Sequence, residues 1–181
     1  MPRFVVLLRG VNVGKGNRVP MAGFKALLEG LGYTDVSTVL NSGNAVFTSA
    51  SRSQRKHEAS IAVALRETMA VEAPVIVKSA ADWSAVLNAV PFEPSESEQS
   101  KYLVAFAADE AALTGIAPLQ DLAQAPERFI VTRAAAFLYC PAGVLQSRVG
   151  KALLGKAGER VTTRNWATVL KLAARVGDGA V

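Results

Sequence analysis

A glycine-rich, basic loop at residues 10–20 is the segment best suited to carry chemistry. Three glycines (Gly10, Gly14 and Gly16) lie among the cations Arg9, Lys15 and Arg18. Pro20 then suits the first turn of a helix, where unpaired N–H groups and the positive end of the helix dipole favour an anion. The loop therefore predicts an anion site. The alternative is a surface turn whose glycines serve geometry and whose charges are solvated.

The loop matches neither of two well-known nucleotide-binding patterns. Gly10 and Gly14 are separated by three residues rather than the four of a Walker A loop, and Gly16 follows Lys15 where that loop has Ser or Thr. A dinucleotide fingerprint would need a further glycine where Val19 stands. The predicted anion site, including Asn12 and Gly14, therefore rests on composition and position.

A second polar motif, Asn41-Ser42-Gly43-Asn44, separates two apolar runs. Asn and Gly tolerate a positive φ, so the motif predicts a hairpin turn, and structure alone can explain it. The functional alternative is that Ser42 and Asn44 face the loop at residues 10–20. In a split βαβ fold the first and third strands are adjacent and antiparallel, so the end of one lies beside the start of the other. This predicts that residues 9–12 and 44–45 are neighbours.

A third motif, Arg164-Asn165-Trp166, is predicted to open the last helix, residues 164–176, with Thr163 as its cap. A cation in the first helical turn opposes the helix dipole, which indicates an acidic side chain or an anionic ligand as its partner. Trp166 falls on the apolar stripe and is expected in the core. We hypothesise that the loop, the hairpin and this motif form one electropositive cleft.

The remaining titratable residues are weak candidates for catalysis or metal binding. His57 is the only histidine and is expected to be solvated at the start of a helix. Cys140, the only cysteine, is expected to be a small buried hydrophobe. Glu93, Glu96 and Glu98 fall in a predicted surface loop, where paired carboxylates would lack rigid placement. No metal-ligand spacing is present, so we expect no metal and no cofactor.

Composition indicates a globular chain. Of its 181 residues, 50% are hydrophobic and 19% are charged, so the chain can bury a core. It has no apolar run long enough to cross a membrane, and a lone cysteine suits a reducing cytoplasm. The net charge is +5, with basic excess in residues 1–60 and 131–181 and acidic excess in residues 61–130. The basic ends either converge on one anion-attracting surface or are neutralised by the acidic middle and by solvent.

The order of predicted elements indicates an α+β fold of two ferredoxin-like (split βαβ) halves with a C-terminal helix. Residues 3–9, 36–40, 45–49 and 74–79 are predicted strands, with helices at 20–31 and 54–69. Residues 1–79 form the first half, 80–100 a helix and linker, and 101–181 the second half. The second half is predicted to lack its last strand, which the helix at 164–176 replaces.

Three segments together resemble a bacterial domain-of-unknown-function family, number 1697. They are Arg9-Gly10-Val11-Asn12-Val13-Gly14 with Val19-Pro20-Met21, then Asn41-Ser42-Gly43-Asn44, and then Thr162-Thr163-Arg164-Asn165-Trp166 with Val169-Leu170-Lys171-Leu172. The resemblance implies an α+β protein with two plait-like parts and no established activity. Ala167 stands where the family often has Asn, so a polar role at that position is not expected here.

The leading functional hypothesis is a binding protein for a phosphate-bearing ligand, either a nucleotide or a nucleic acid. Its predicted site comprises Arg9, Asn12, Gly14, Lys15, Ser42, Asn44, Arg164 and Asn165. One alternative is an enzyme acting on a small anionic metabolite. Another is an interaction module in which the motifs only hold the halves together. The sequence indicates no membrane partner and carries no signal for an oligomeric state.

Overall fold

The chain forms two units of the same α+β plan, each built on a four-stranded antiparallel sheet. The computed structural model describes residues 1–177. Unit 1 comprises Met1–Trp83 together with the described residues from Lys171 on, and unit 2 comprises Ser84–Leu170. The predicted division into residues 1–79, 80–100 and 101–181 stays a prediction.

Unit 1 has the element order β-α-β-β-α-β, and its strands are arranged β2-β3-β1-β4. This is the ferredoxin-like arrangement, so the predicted fold class is confirmed for this unit. Its elements are β1 (Arg3–Leu8), α1 (Met21–Gly30), β2 (Thr34–Thr38), β3 (Asn44–Thr48), α2 (Gln54–Met69) and β4 (Val75–Ser79).

The core of unit 1 lies between its sheet and its two helices. Alternate residues of β1 share one sheet face, and Phe4, Val6 and Leu8 are buried in the same cluster as Phe24 of α1 and Ile61 of α2. α2 begins at a capped residue, because the side chain of Ser53 accepts a hydrogen bond from the Lys56 N–H. These local signals explain why the helix bounds at residues 54–69 were predictable.

Unit 2 repeats the plan with strands arranged β6-β7-β5-β8. α3 (Ala80–Asn88) and a 3-10 helix (Glu96–Lys101) precede the second sheet. The following elements are β5 (Tyr102–Ala107), α4 (Glu110–Ile116), β6 (Arg128–Val131), β7 (Ala136–Tyr139), α5 (Arg148–Leu154), β8 (Val161–Asn165) and α6 (Trp166–Gly177). Short 3-10 helices follow α4, at Ala117–Leu122, and α5, at Lys156–Gly158. Pro118 lies in the first of these, and its missing N–H and its ring disfavour a continuing α-helix.

The prediction that unit 2 lacks its last strand was wrong. Residues 161–165 form β8, which pairs antiparallel with β5 and sets Arg164 opposite Val104. The β-branched residues Val161, Thr162 and Thr163 favour a strand over the helix that the apolar spacing further along suggested. The cap is Asn165 rather than Thr163, because the Asn165 Oδ1 accepts from the Thr168 N–H at 2.9 Å.

The prediction that His57 is solvated was also wrong. His57 is buried in unit 1, with its Nδ1 2.9 Å from the Tyr33 hydroxyl and its Nε2 3.0 Å from the Ser51 carbonyl oxygen. Its ring makes edge contacts with Phe4, Tyr33 and Phe47. The flanking charges at Arg55, Lys56 and Glu58 suggested a solvated face, but the helical period turns the intervening residue toward the core.

Across residues 1–177, every helix is too short or too polar to cross a membrane.

Candidate functional site

The loop at residues 10–20 and the hairpin at residues 39–44 lie at the same end of the unit 1 sheet. Leu7 of β1 is paired with Asn44 of β3, and the Leu8 N–H donates to the Gly43 carbonyl at 2.9 Å. The predicted proximity of these two segments is therefore confirmed. We call them together the loop–hairpin surface.

Asn12 joins the two segments through both ends of its carboxamide. Its Oδ1 accepts from the Val19 N–H at 2.9 Å, and its Nδ2 donates to the carbonyl oxygens of Val19 at 2.9 Å and of Asn41 at 2.7 Å. Both Nδ2 protons are thereby directed at backbone carbonyls, which closes the loop and ties it to the hairpin. Asn12 itself has φ 56°, a left-handed conformation that Asn tolerates.

Asn44 and Gly43 stabilise the hairpin through side-chain hydrogen bonds and close packing, respectively. The Asn44 side chain is fully buried, and its Nδ2 donates to the Val39 carbonyl and to the Ser42 hydroxyl, both at 2.9 Å. Gly43 has φ 79°, and a Cβ there would lie 2.6 Å from Val11 Cγ2. Of the four motif residues, Gly43 adopts the positive φ that the hairpin prediction invoked. The motif thus supplies close packing and a buried amide brace.

The cations of the loop differ in their exposure. Lys15 and Arg18 are exposed, whereas Arg9 is half-buried. The Arg18 guanidinium donates to the Gly14 carbonyl at 3.1 Å, which holds the turn around Lys15 closed. An acidic residue, Glu72, also lies at this end of the sheet, where its carbonyl oxygen accepts from Asn17 at 3.4 Å. The surface is therefore basic at the loop and acidic at its margin near β4.

The remaining predicted site residues, Arg164 and Asn165, belong to unit 2. Arg164 is in β8 and is buried, and its guanidinium donates to the Thr162 hydroxyl at 2.7 Å and the Thr163 carbonyl at 2.8 Å. Burial lowers the pKa of Arg164 to about 10. Because Arg164 precedes the helix, the argument from an opposed helix dipole does not apply to it. The shared cleft with unit 1 stays a prediction.

Three surface depressions lie away from the predicted site residues. Two depressions of about 350 and 380 Å³ flank Val63 on α2, and a third of about 290 Å³ lies beside Pro141 and Arg148 in unit 2. None of these three is lined by a predicted site residue. In residues 1–177, no group of three or more His, Cys, Asp or Glu side chains is arranged to hold a metal ion.

Cys140 is buried, as predicted, and its thiol donates to the Lys101 carbonyl at 3.3 Å. Burial, with a contribution from Glu127, raises the pKa of Cys140 to about 11.

We expect the folded protein at pH 8 to react with a disulfide thiol reagent about two orders of magnitude more slowly than the chain unfolded in guanidinium, because little of Cys140 is present as thiolate in the folded protein. Equal rates in the two states would contradict this burial.

Sequence reasoning missed an aromatic face in unit 2. Tyr102 and Phe106 of β5 share a sheet face with Phe137 and Tyr139 of β7, opposite the face that packs in the cluster of Leu103 and Leu138. The signal was visible as alternation in residues 102–106 and 136–139.

Fold and site define a two-unit α+β protein of ferredoxin-like plan whose first unit carries a braced, basic glycine loop. The chain belongs to the family described as protein of unknown function (DUF1697), whose profile matches residues 1–137. The loop and hairpin motifs lie within that match, and the motif at residues 162–166 lies beyond it.

Among solved structures, the chain is similar to the conserved bacterial protein SP0830 from Streptococcus pneumoniae, with 25% identity and a TM-score of 0.73. That likeness covers 97% of this chain and 98% of the other. A comparison with curated proteins finds no match.

Proposed function

We propose that the loop–hairpin surface of unit 1 binds a phosphate-bearing ligand. The observation that carries the proposal is the start of α1. Pro20 precedes the helix and supplies no side-chain cap, and the first turn contains no acidic residue. The N–H groups of that turn therefore have no side-chain acceptor, and the positive end of the helix dipole is not neutralised within it. Such a helix start favours phosphate oxygens.

The charge and rigidity of the neighbouring loop support the same ligand. Lys15 is exposed on a turn that the Arg18–Gly14 hydrogen bond closes. Asn12 fixes the loop to Val19 and Asn41 before any ligand arrives. A preformed site loses less conformational entropy on binding than a flexible one. In this proposal Arg9, Gly14 and Lys15 contact the ligand, whereas Asn12, Ser42 and Asn44 hold the surface in shape.

The proposal is tested by comparing two double variants that remove the same charge. Lys15→Ala/Arg18→Ala removes the loop cations, and Arg55→Ala/Lys56→Ala removes exposed cations at the start of α2, at the opposite end of the same sheet. The probes are inorganic phosphate, pyrophosphate, ATP and a single-stranded 12-mer, assayed by thermal shift and by calorimetry. We expect the loop variant to bind a responsive probe about tenfold or more weakly, and the α2 variant to resemble wild type.

The pattern across probes identifies the source of the phosphate. A nucleic-acid ligand predicts binding that weakens steeply with salt, with a smaller salt slope in the loop variant. A nucleotide ligand predicts a response to ATP that exceeds the response to the 12-mer. Equal losses in the two double variants, or no response to any probe, would contradict the proposed site.

A further inference from the structure

The segment that connects α3 to β5, residues 91–101, lies over one end of the unit 2 sheet; we call it the strap. Its Phe92 ring makes edge contacts with Tyr102 and Tyr139, at centroid distances of 5.0 and 6.0 Å. The guanidinium carbon of Arg128 lies 4.1 Å from the centroid of the same ring. One strap side chain is thus held between a cation and two tyrosines.

A carboxylate of the strap makes a second contact at the same place. Glu98 Oε1 accepts from the Tyr139 hydroxyl at 2.6 Å. This hydrogen bond lowers the pKa of Glu98 and raises that of Tyr139. The strap therefore presents an aromatic ring and an anionic group, and both contact Tyr139 of β7.

One polar atom beneath the strap is left without a partner. The Tyr102 hydroxyl is buried and makes no hydrogen bond within residues 1–177, and burial raises the pKa of this group. The rings of Phe92, Phe137 and Trp166 contact Tyr102, and none of them offers its hydroxyl an acceptor. A buried polar group without a hydrogen-bond partner is destabilising. The strap therefore buries the Tyr102 hydroxyl without satisfying it.

We propose that the strap is a displaceable cover on a binding surface for single-stranded nucleic acid. A nucleotide supplies the same two groups as the strap: a flat ring to lie against Arg128 and the tyrosines, and a phosphate in place of the Glu98 carboxylate. A nucleobase also carries polar edge atoms that can pair with the Tyr102 hydroxyl, which Phe92 cannot. Phe106 and Phe137 of this sheet face are fully buried, so the bases would stack only where the strap lies, against Arg128, Tyr102 and Tyr139.

The test measures binding of the full chain to a fluorescein-labelled single-stranded U12 oligonucleotide by anisotropy. Phe92→Ala removes the ring, and Glu98→Gln weakens the hold on Tyr139 while keeping every ring contact. Glu96→Gln is the matched control, because Glu96 is exposed in the same 3-10 helix. We expect affinity to rise about tenfold in Phe92→Ala and about threefold in Glu98→Gln, with no change in Glu96→Gln. Adding Arg128→Ala to Phe92→Ala is expected to abolish the gain.

The proposal is overturned if Phe92→Ala and Glu98→Gln both bind like wild type, or if the gain survives loss of Arg128. A gain of equal size for a duplex of the same sequence would also overturn it, since paired bases cannot stack on the sheet. Thermal unfolding checks that the Phe92→Ala variant folds. If that variant does not fold, the affinity of the Glu98→Gln variant for U12 tests the proposal instead. The proposal is independent of the unit 1 site. The rise in U12 affinity caused by Phe92→Ala should therefore persist when Lys15→Ala/Arg18→Ala is also present. Loss of that rise would overturn the assignment of the binding surface to unit 2.

Discussion

Replacing Gly43 with alanine is expected to destabilise the protein by about 3 kcal/mol, which lowers the melting temperature by about 6–12 °C. Two effects add. The left-handed backbone at φ 79° disfavours any side chain, by about 1 kcal/mol. The new methyl would also lie 2.6 Å from Val11 Cγ2 and 2.8 Å from Leu8 Cβ, so the loop and β1 must move apart.

Chemical denaturation followed by circular dichroism measures the effect. Gly30→Ala is the matched control, because Gly30 ends α1 with open space around its Cα. That substitution should leave stability unchanged or raise it by up to about 1 kcal/mol. If Gly43→Ala proves as stable as Gly30→Ala, the close packing of the hairpin against the loop is wrong.

Replacing His57 with alanine is expected to destabilise the protein by about 3 kcal/mol. The ring is 2% exposed, and its removal leaves a cavity among Phe4, Tyr33 and Phe47. It also leaves the Tyr33 hydroxyl and the Ser51 carbonyl without their partner. Because a carbonyl can only accept, the geometry assigns a proton to Nε2, and in the neutral ring Nδ1 accepts from the tyrosine.

Two further variants separate the contributions at His57. Tyr33→Phe removes one hydrogen bond and keeps the packing, so it should lose only about 1 kcal/mol. Lys56→Ala, at the neighbouring exposed position, should stay within about 0.5 kcal/mol of wild type. A loss in His57→Ala no larger than that in Lys56→Ala would mean that His57 is solvated, as its neighbours in the sequence suggested.

The predictions that succeeded rest on signals that act over a few residues. Ser53 accepts from the Lys56 N–H, so the capped start of α2 could be located within the sequence. Gly43 adopts the positive φ that a hairpin turn requires. Even the contact between the loop and the hairpin followed from element order, because a ferredoxin-like sheet places the end of β1 beside the start of β3.

The role of each site residue was harder to predict than its position. Asn12 and Asn44 were expected to contact a ligand, but their side chains are directed at the backbone of neighbouring segments. An amide satisfies whichever polar group the fold brings within reach, and sequence alone does not identify that group. Lys15 differs because no described hydrogen bond of the fold engages its exposed side chain, so its charge remains available in the proposed site.

The sequence by itself determined the strand and helix order of residues 1–79, the turn chemistry and the α+β class, because these depend on backbone preferences and periodicity along a few residues. Tertiary structure decided that Arg164 is a strand residue, since β8 exists only through pairing with β5, about sixty residues earlier. It also decided that His57 is buried and that Phe92 lies between Arg128 and two tyrosines. The physical reason is that burial and pairing are set by groups distant in sequence, whose approach no local pattern encodes.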